Sequence, residues 1–258
     1  MPWFDAGVNL FDDRMPAEQT IAMAEQAGVD RLCLITTHPD EWEVAEQLYL
    51  QYPDRLCYTL GIHPHHAKAA RPEHWDTLSE KARLPGVVAI GECGLDYNRD
   101  FSPREVQRSV FERQLSIAAE LNKPVYLHER DAFDDQYQLL ERYIPALSGG
   151  IAHCFTGEAE QMKTYLALGL YIGITGWLCD EKRGSNLREA VQQLPLNRLI
   201  LETDAPYLYP KTLKPRRRNN SPAYLPHVGQ ELAALLNQDI ENIEQASYTK
   251  FVGKINAV

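Results

Sequence analysis

The chain has 258 residues, of which 44% are hydrophobic and 24% are charged, and this composition excludes an intrinsically disordered protein. The net charge of -10 at pH 7 argues against a protein that coats nucleic acid nonspecifically, because such binding depends on many Lys and Arg contacts to phosphates. It leaves open a site in which a metal ion supplies the positive charge.

Short apolar or β-branched segments alternate with longer amphipathic segments along the chain. Eight of them predict β-strands, at residues 3–10, 31–37, 55–63, 87–94, 124–130, 149–154, 170–177 and 199–206. Helix-like segments lie between them, several beginning after Pro or Asp and ending at Gly or Asn, and one or two closing helices follow from about residue 223. This order predicts an α/β protein, a (β/α)8 TIM barrel that forms a single domain over residues 1–258.

Cysteine usage and the first residues bear on the compartment. The five cysteines are dispersed without CxxC spacing, which is typical of reduced thiols. The opening MPWFDAGVNLFDDRM has neither a basic start nor a long apolar run, and no uninterrupted apolar stretch approaches the length of a membrane span. We therefore expect a soluble, cytoplasmic protein that does not contact a membrane.

Polar residues stand at the predicted carboxyl ends of six strands, which in a barrel converge on one mouth. Glu92 is the most informative, because a carboxylate after the apolar run VVAI needs a counter-charge, a hydrogen-bond network or a metal. The full set is Asn9, His63, Glu92, His128, His153 and Asp204. We predict that Glu92, His128, His153 and Asp204 share a divalent cation, a ligand set that suits Zn²⁺, Mn²⁺ or Fe²⁺ and, with waters, Mg²⁺.

Side-chain alternation along the strands extends this prediction. If Glu92 and His153 face the mouth, Cys93 and Cys154 point outward and are core residues. Arg130 shares the face of His128, and a guanidinium there suits a phosphate or carboxylate substrate. In the run GIHPHH, His63 and His65 lie near the mouth and either hold a phosphate or support the metal ligands.

A basic segment and three aromatic residues each allow two interpretations. The segment KTLKPRRRNNSP, residues 211–222, is either a solvated basic loop or a loop that contacts phosphates at the active face. Tyr97, Phe155 and Trp177 fall near the expected mouth, where they either stack on a base or belong to the core or rim.

The motifs GECGLDYN, LHERDA, HCFTG, YIGITG and ETDAPYL, in this order and at these spacings, resemble the TatD family of metal-dependent deoxyribonucleases. The resemblance runs from the first strand to AYLPHV and implies an amidohydrolase-like TIM barrel that hydrolyses phosphodiester bonds with divalent metal. It implies that Glu92, His128 and His153 bind the metal and that Asp204 is a ligand or the catalytic base. By the same resemblance His63, His65 and Arg130 contact the scissile phosphate.

The chain departs from the family pattern at one motif. Most members begin with Asp-x-His-x-His, whereas FDAGVNL has Gly7 and Asn9 at the two histidine positions. In this respect the chain is similar to the family branch whose members resemble 3′-to-5′ exonucleases acting on single-stranded DNA and RNA with Mg²⁺. Losing two imidazoles should weaken Zn²⁺ binding and favour Mg²⁺ or Mn²⁺ in a more oxygen-rich site holding one or two ions. The family's Arg-Asn-Glu-Pro element appears as RRRNNSP without the Glu, so no role is assigned to that position.

These observations predict a monomeric, Mg²⁺-dependent exonuclease that acts on the ends of single-stranded DNA or RNA. Glu92 and Asp204 would be its catalytic residues, and His63, His65, Arg130 and Asn9 would contact the substrate. Two alternatives stay open. One is another ester or amide hydrolase on the same barrel, such as a D-aminoacyl-tRNA deacylase, and the other is a nucleic-acid-binding protein whose catalytic site is degenerate.

Overall fold

The computed structural model describes the backbone of residues 2–255 and the side chains of residues 2–248. Eight strands alternate with helices, as predicted. The strands are β1 (Trp3–Val8), β2 (Val29–Leu34), β3 (Leu56–Leu60), β4 (Val87–Asp96), β5 (Val125–Arg130), β6 (Gly150–Ala152), β7 (Tyr171–Ile174) and β8 (Leu199–Leu201).

Helices follow the strands on the outside. They are α1 (Ala17–Gln26), α2 (Trp42–Gln51), α3 (Pro72–Lys81), α4 (Arg104–Glu120), α5 (Phe133–Tyr143), α6 (Ala159–Ala167), α7 (Ser185–Ala190), α8 (Leu225–Leu236) and α9 (Ile240–Ile255). One or two closing helices were predicted from about residue 223, and the structure has two, α8 and α9. Within residues 2–255, none of the helices is long and apolar enough to cross a membrane.

The strands form one parallel sheet in the order β1 to β8. Backbone hydrogen bonds join its two edges, from Asn9 N to Ala205 O at 2.9 Å and from Asp204 N to Gly7 O at 2.9 Å. The sheet thereby curls into a nearly closed barrel, which confirms the predicted TIM-barrel fold. This closure brings the ends of β1 and β8 together, although they are almost 200 residues apart in the chain.

The apolar core has two clusters, one inside the barrel and one between the strands and the surrounding helices. An inner cluster joins residues from seven strands: Phe4, Ala6, Cys33, Ile35, Cys57, Ala89, Tyr126, Ile151 and Ile200. A larger outer cluster packs the other faces of the strands against the helices and includes Cys93, which is fully buried as expected. Because the interior is filled by side chains, the rim at the carboxyl ends of the strands is where polar groups can gather.

Candidate metal and active site

Glu92 lies inside the barrel mouth because β4 bends there. Gly91 and Gly94 have φ of 148° and 142°, and a Cβ at these positions would lie 2.2 Å from Tyr126 O and 1.9 Å from His128 O respectively. Only glycine permits this approach of β4 to β5, and the register shifts between Ile90 and Cys93. The two glycines in GECG thus let the strand turn the carboxylate inward.

Three imidazoles surround the Glu92 carboxylate, which is 5% exposed. Its Oε1 lies 2.9 Å from Nδ1 of His128, 3.5 Å from Nε2 of His63 and 3.9 Å from Nε2 of His153. Burial opposes the negative charge, but the three imidazoles together hold the pKa of Glu92 well below its usual value. The carboxylate is therefore ionised and available as a cation ligand.

His128 lies between two carboxylates. Its Nδ1 contacts Glu92, and its Nε2 lies 3.1 Å from Oδ2 of Asp96. Burial disfavours the imidazolium, yet the hydrogen bonds to Asp96 and Glu92 outweigh it and raise the pKa of His128 to about 9. A cation that binds through this ring must therefore displace a proton.

His153 is held by a buried carboxylate on its far side. Its Nδ1 lies 2.7 Å from Oε2 of Glu202, and its Nε2 lies 3.9 Å from both Glu92 Oε1 and Asp204 Oδ1. Although burial opposes the charge, Glu202, Glu92 and Asp204 raise the pKa of His153 to about 10. With Nδ1 donating to Glu202, Nε2 is the atom that faces the site, an arrangement typical of metal-binding histidines.

Asp204 completes this side of the mouth. Asn9 donates from Nδ2 to Asp204 Oδ1 at 2.9 Å, across the seam between β1 and β8. Burial raises the pKa of Asp204 to about 6, partly offset by the charge of His153 and the hydrogen bond from Asn9. Asn9, predicted to contact substrate, therefore acts here on Asp204 itself.

His63 and His65 lie on the opposite side of the mouth. His63 Nδ1 accepts a hydrogen bond from the backbone N–H of His65 at 3.1 Å, so in the neutral ring Nε2 carries the proton and donates towards Glu92. Burial lowers the pKa of His63 to about 4 and keeps it neutral. His63 thus fits a hydrogen-bond donor better than a metal ligand. His65 Nε2 lies 2.7 Å from Asp96 Oδ2.

Arg130 follows His128 at the end of β5. Its guanidinium carbon lies 5.8 Å from the centre of the Trp177 ring, in the range of a cation–π contact. Arg130 is half-buried at the carboxyl end of β5. The basic segment at residues 211–222 also lies on this face, and Lys211 Nζ is 2.5 Å from Asp180 Oδ2.

The ligand atoms form two groups that could each hold a cation. One contains His63, Glu92 and His128, and the other contains His153, Cys154 and Asp204, with the atoms of each group within 4.8 Å of one another. Glu92 Oε1 also approaches His153, so the two groups adjoin. Buried carboxylates and imidazoles of this kind fit a divalent cation.

The prediction that Cys154 points outward is wrong. β6 ends at Ala152, and Cys154 has a left-handed backbone with φ of 44°, so strand alternation no longer applies. Its Sγ lies 3.5 Å from Thr175 Oγ1, beside the second ligand group. Burial raises the pKa of the thiol well above its usual value, with Asp204 adding to the effect, so it is a neutral neighbour of the site.

Two acidic residues of the site were missed from the sequence. Glu202 is fully buried and contacts His153, the Tyr126 hydroxyl and the backbone N–H of Cys154, the last at 2.6 Å. Asp96 contacts His65 and His128. Side-chain alternation could have found Asp96, because residues 92 and 96 share a face of β4. Glu202 lies beyond the end of β8 at Leu201, where alternation gives no signal.

Comparison with known proteins shows which family the chain resembles. The family model described as TatD related DNase matches residues 4–253. A relative from Pantoea sp. (strain At-9b) called 3′-5′ ssDNA/RNA exonuclease TatD is 46% identical over 93% of this chain and 94% of its own length. The chain belongs to the TatD family.

Solved structures agree with this assignment. A TatD homologue from Escherichia coli has a TM-score of 0.88 at 28% identity and covers 97% of this chain and 98% of its own. A Saccharomyces cerevisiae protein described as an uncharacterized amidohydrolase has a TM-score of 0.81 at 21% identity, over 98% of this chain and 99% of its own. The second likeness concerns the fold alone and agrees with the eight-stranded barrel.

The space beside Gly7 is filled by atoms of other residues. A Cβ on Gly7 would lie 2.5 Å from the Tyr126 hydroxyl, 2.8 Å from Ile35 Cδ1 and 2.9 Å from Glu202 Oε2. Glu202 in turn lies against Gly173, where a Cβ would be 1.9 Å from its Oε1. Gly7 and Gly173 therefore make room for a carboxylate that supports His153.

Proposed function

We propose that this TatD-family chain is a metal-dependent exonuclease that removes nucleotides from the 3′ ends of single-stranded DNA or RNA. Its family membership supports a metal-dependent nuclease, and the name of the Pantoea relative supports the polarity and the substrate. The observation that carries the proposal is the ionised Glu92 carboxylate within 4 Å of three imidazole nitrogens, with Asp204 Oδ1 3.9 Å from the same Nε2 of His153. Such a set suits cation-assisted phosphodiester hydrolysis.

Glu92, His128, His153 and Asp204 would hold the metal, as one ion or as two in the adjoining ligand groups. When bound, the cation supplies positive charge for the phosphate and lowers the pKa of a water. We favour Mg²⁺ over Mn²⁺ and Zn²⁺, because Gly7 and Asn9 contribute no imidazole and the remaining set is rich in carboxylate oxygen.

The side chains around these ligands would transfer the proton, orient the groups and stabilise the charge on the phosphate. Asp204 accepts the proton of the attacking water, and Asn9 fixes its orientation by donating to Oδ1. His63 is neutral with its single proton on Nε2, and in the substrate complex this proton would turn from Glu92 to a phosphate oxygen. His65 and Arg130 steady the negative charge that develops on the phosphate.

The test is digestion of 5′-labelled and 3′-labelled single strands with Mg²⁺ or with EDTA. The proposal expects Mg²⁺-dependent release of mononucleotides from the 3′ end, a 5′-labelled ladder that shortens progressively, and no release in EDTA. Deacylation of D-aminoacyl-tRNA without nucleotide release would support the alternative hydrolase. Tight strand binding with no turnover in any divalent metal would support a degenerate binding protein.

Three further expectations stay predictions from the sequence. They are the single domain over residues 1–258, the monomeric state and the cytoplasmic location. Sedimentation of the purified protein tests the monomeric state, with a mass near 29.4 kDa expected.

A further inference from the structure

Two aromatic side chains on the rim of the mouth are exposed. In the part of the chain whose side chains are described, the large exposed hydrophobic residues are Met23, Val44, Leu50, Phe101 and Tyr207. The first three lie on α1 and α2, on the outside of the barrel. Phe101 and Tyr207 instead lie in loops after β4 and β8, at the face that carries the site, and are 54% and 49% exposed.

Phe101 adjoins the His65 side of the site. It lies between the end of β4 at Asp96 and the start of α4 at Arg104. The centres of the Phe101 and His65 rings are 4.8 Å apart at an interplanar angle of 69°, and the His65 and His128 rings are 6.0 Å apart. A single ring, that of His65, therefore lies between the exposed Phe101 ring and the proposed metal ligand His128.

Tyr207 adjoins the Asp204 side. Its backbone N–H donates to Asp204 O at 2.9 Å, which anchors the loop that carries the ring. The guanidinium carbon of Arg14 lies 4.9 Å from the centre of the Tyr207 ring. In an eight-stranded barrel β8 lies across from β4, so Phe101 and Tyr207 flank the mouth from opposite sides.

A third ring continues this pattern beyond β7. Trp177 is half-buried between two arginines, with guanidinium carbons 5.8 Å (Arg130) and 5.1 Å (Arg183) from its ring. Tyr207 and Trp177 thus each lie beside arginine side chains at the rim of a protein whose net charge is -10. This combination is typical of surfaces that bind single-stranded nucleic acid, where bases stack on rings and cations follow the phosphates.

We propose that Phe101 and Tyr207 are stacking platforms that hold unpaired bases on the two sides of the bond to be cleaved. This inference rests on the proposed nuclease function and gives it a source of selectivity. An unpaired base can swing out to offer a face to a ring, whereas a base inside a duplex is already stacked on both faces. The platforms would therefore bind frayed or single-stranded ends and tolerate any base.

The test compares two substrates across matched variants. The first is a single-stranded oligonucleotide, and the second is the same strand with abasic sugars at its last two 3′ positions. The variants are Phe101→Ala, Tyr207→Ala, Phe101→Tyr and the control Leu50→Ala, which truncates an apolar side chain 60% exposed on α2. KM and kcat are measured with Mg²⁺, and strand affinity is measured separately by fluorescence anisotropy in EDTA.

The stacking proposal expects each alanine variant to raise KM for the normal strand about 5- to 150-fold with a smaller change in kcat. Phe101→Tyr should recover most of that loss, and Leu50→Ala should match the wild type. On the abasic strand the wild type should lose affinity by a similar factor, and the alanine variants should lose little more. If the alanine variants lose the same affinity on the normal and the abasic strand, or if their KM on the normal strand is unchanged, the stacking proposal is refuted.

The anisotropy measurement separates this proposal from the proposed function. A wild-type protein that releases no nucleotides but loses strand affinity in Phe101→Ala and Tyr207→Ala would refute the nuclease and retain the platforms. A wild-type protein that releases nucleotides, with alanine variants that bind the normal strand as tightly as the wild type, would retain the nuclease and refute the platforms.

Discussion

Glu202 Oε2 lies 2.7 Å from Nδ1 of His153, on the side of the ring opposite the site. The same carboxylate receives hydrogen bonds from the Tyr126 hydroxyl and from Cys154 N–H. It therefore fixes both the rotation of the imidazole and the nitrogen that faces Glu92 and Asp204.

Replacing this carboxylate should weaken metal binding without unfolding the barrel. We expect Glu202→Gln to lower Mn²⁺ affinity about 10- to 100-fold, because the neutral amide no longer stabilises a donating Nδ1–H. Isothermal titration calorimetry measures the change, and circular dichroism checks the fold. The control is Glu189→Gln, at an exposed position on α7. Equal Mn²⁺ affinities for Glu202→Gln and wild type would show that Glu202 does not position the ligand.

The space above Gly7 gives a stability prediction. Gly7→Ala should lower the free energy of unfolding by about 1–3 kcal/mol, because the new methyl group meets the Tyr126 hydroxyl, Ile35 and Glu202. The loss should be smaller when Gly7→Ala is made in a Tyr126→Phe background, which removes the nearest atom. Urea denaturation of the four proteins in this cycle gives the coupling. Full additivity of the two changes would argue against the clash.

Metal binding should release protons near neutral pH. The pKa of His128 is raised to about 9 and that of His153 to about 10, so both rings carry a proton at pH 7 in the metal-free protein. A cation that binds their nitrogens displaces about one or two protons, and its apparent affinity should rise as pH increases from 7 towards 9. Titrations in buffers of different ionisation enthalpy count the protons. Binding without proton release at pH 7 would mean that neither ring is a ligand.

The acid side of the pH–rate profile should follow Asp204. Its carboxyl is the proposed base only when ionised, and burial raises its pKa to about 6 in the metal-free protein. A bound cation lowers that pKa, so at saturating metal the fall in kcat/KM should be centred at a pH below about 6. Asn9→Ala removes a hydrogen bond that stabilises the carboxylate and should move this limb to higher pH. An identical acid limb in Asn9→Ala and wild type would exclude Asp204 as the titrating group.

The alternation of apolar and amphipathic segments was sufficient to predict the barrel, because strand and helix periods are local properties of the chain. The convergence of Glu92, His128, His153 and Asp204 followed from topology, since parallel strands end at one rim. The contacts between these side chains could not be predicted, because they depend on how the strands pack and where each strand ends. Strand alternation does not apply to Cys154, because β6 ends at Ala152. Glu202 was overlooked because its position depends on Gly7 and Gly173, which lie on two other strands.

The most direct test of the account concerns Glu92. Mn²⁺ affinity and Mg²⁺-dependent 3′ nucleotide release are measured for wild type, Glu92→Gln and the exposed control Glu189→Gln, with the fold of each checked by thermal unfolding. We predict that Glu92→Gln loses nucleotide release by at least about 100-fold and binds Mn²⁺ far more weakly, while the control matches wild type. A folded Glu92→Gln protein that binds Mn²⁺ and releases nucleotides at the wild-type rate would contradict the account.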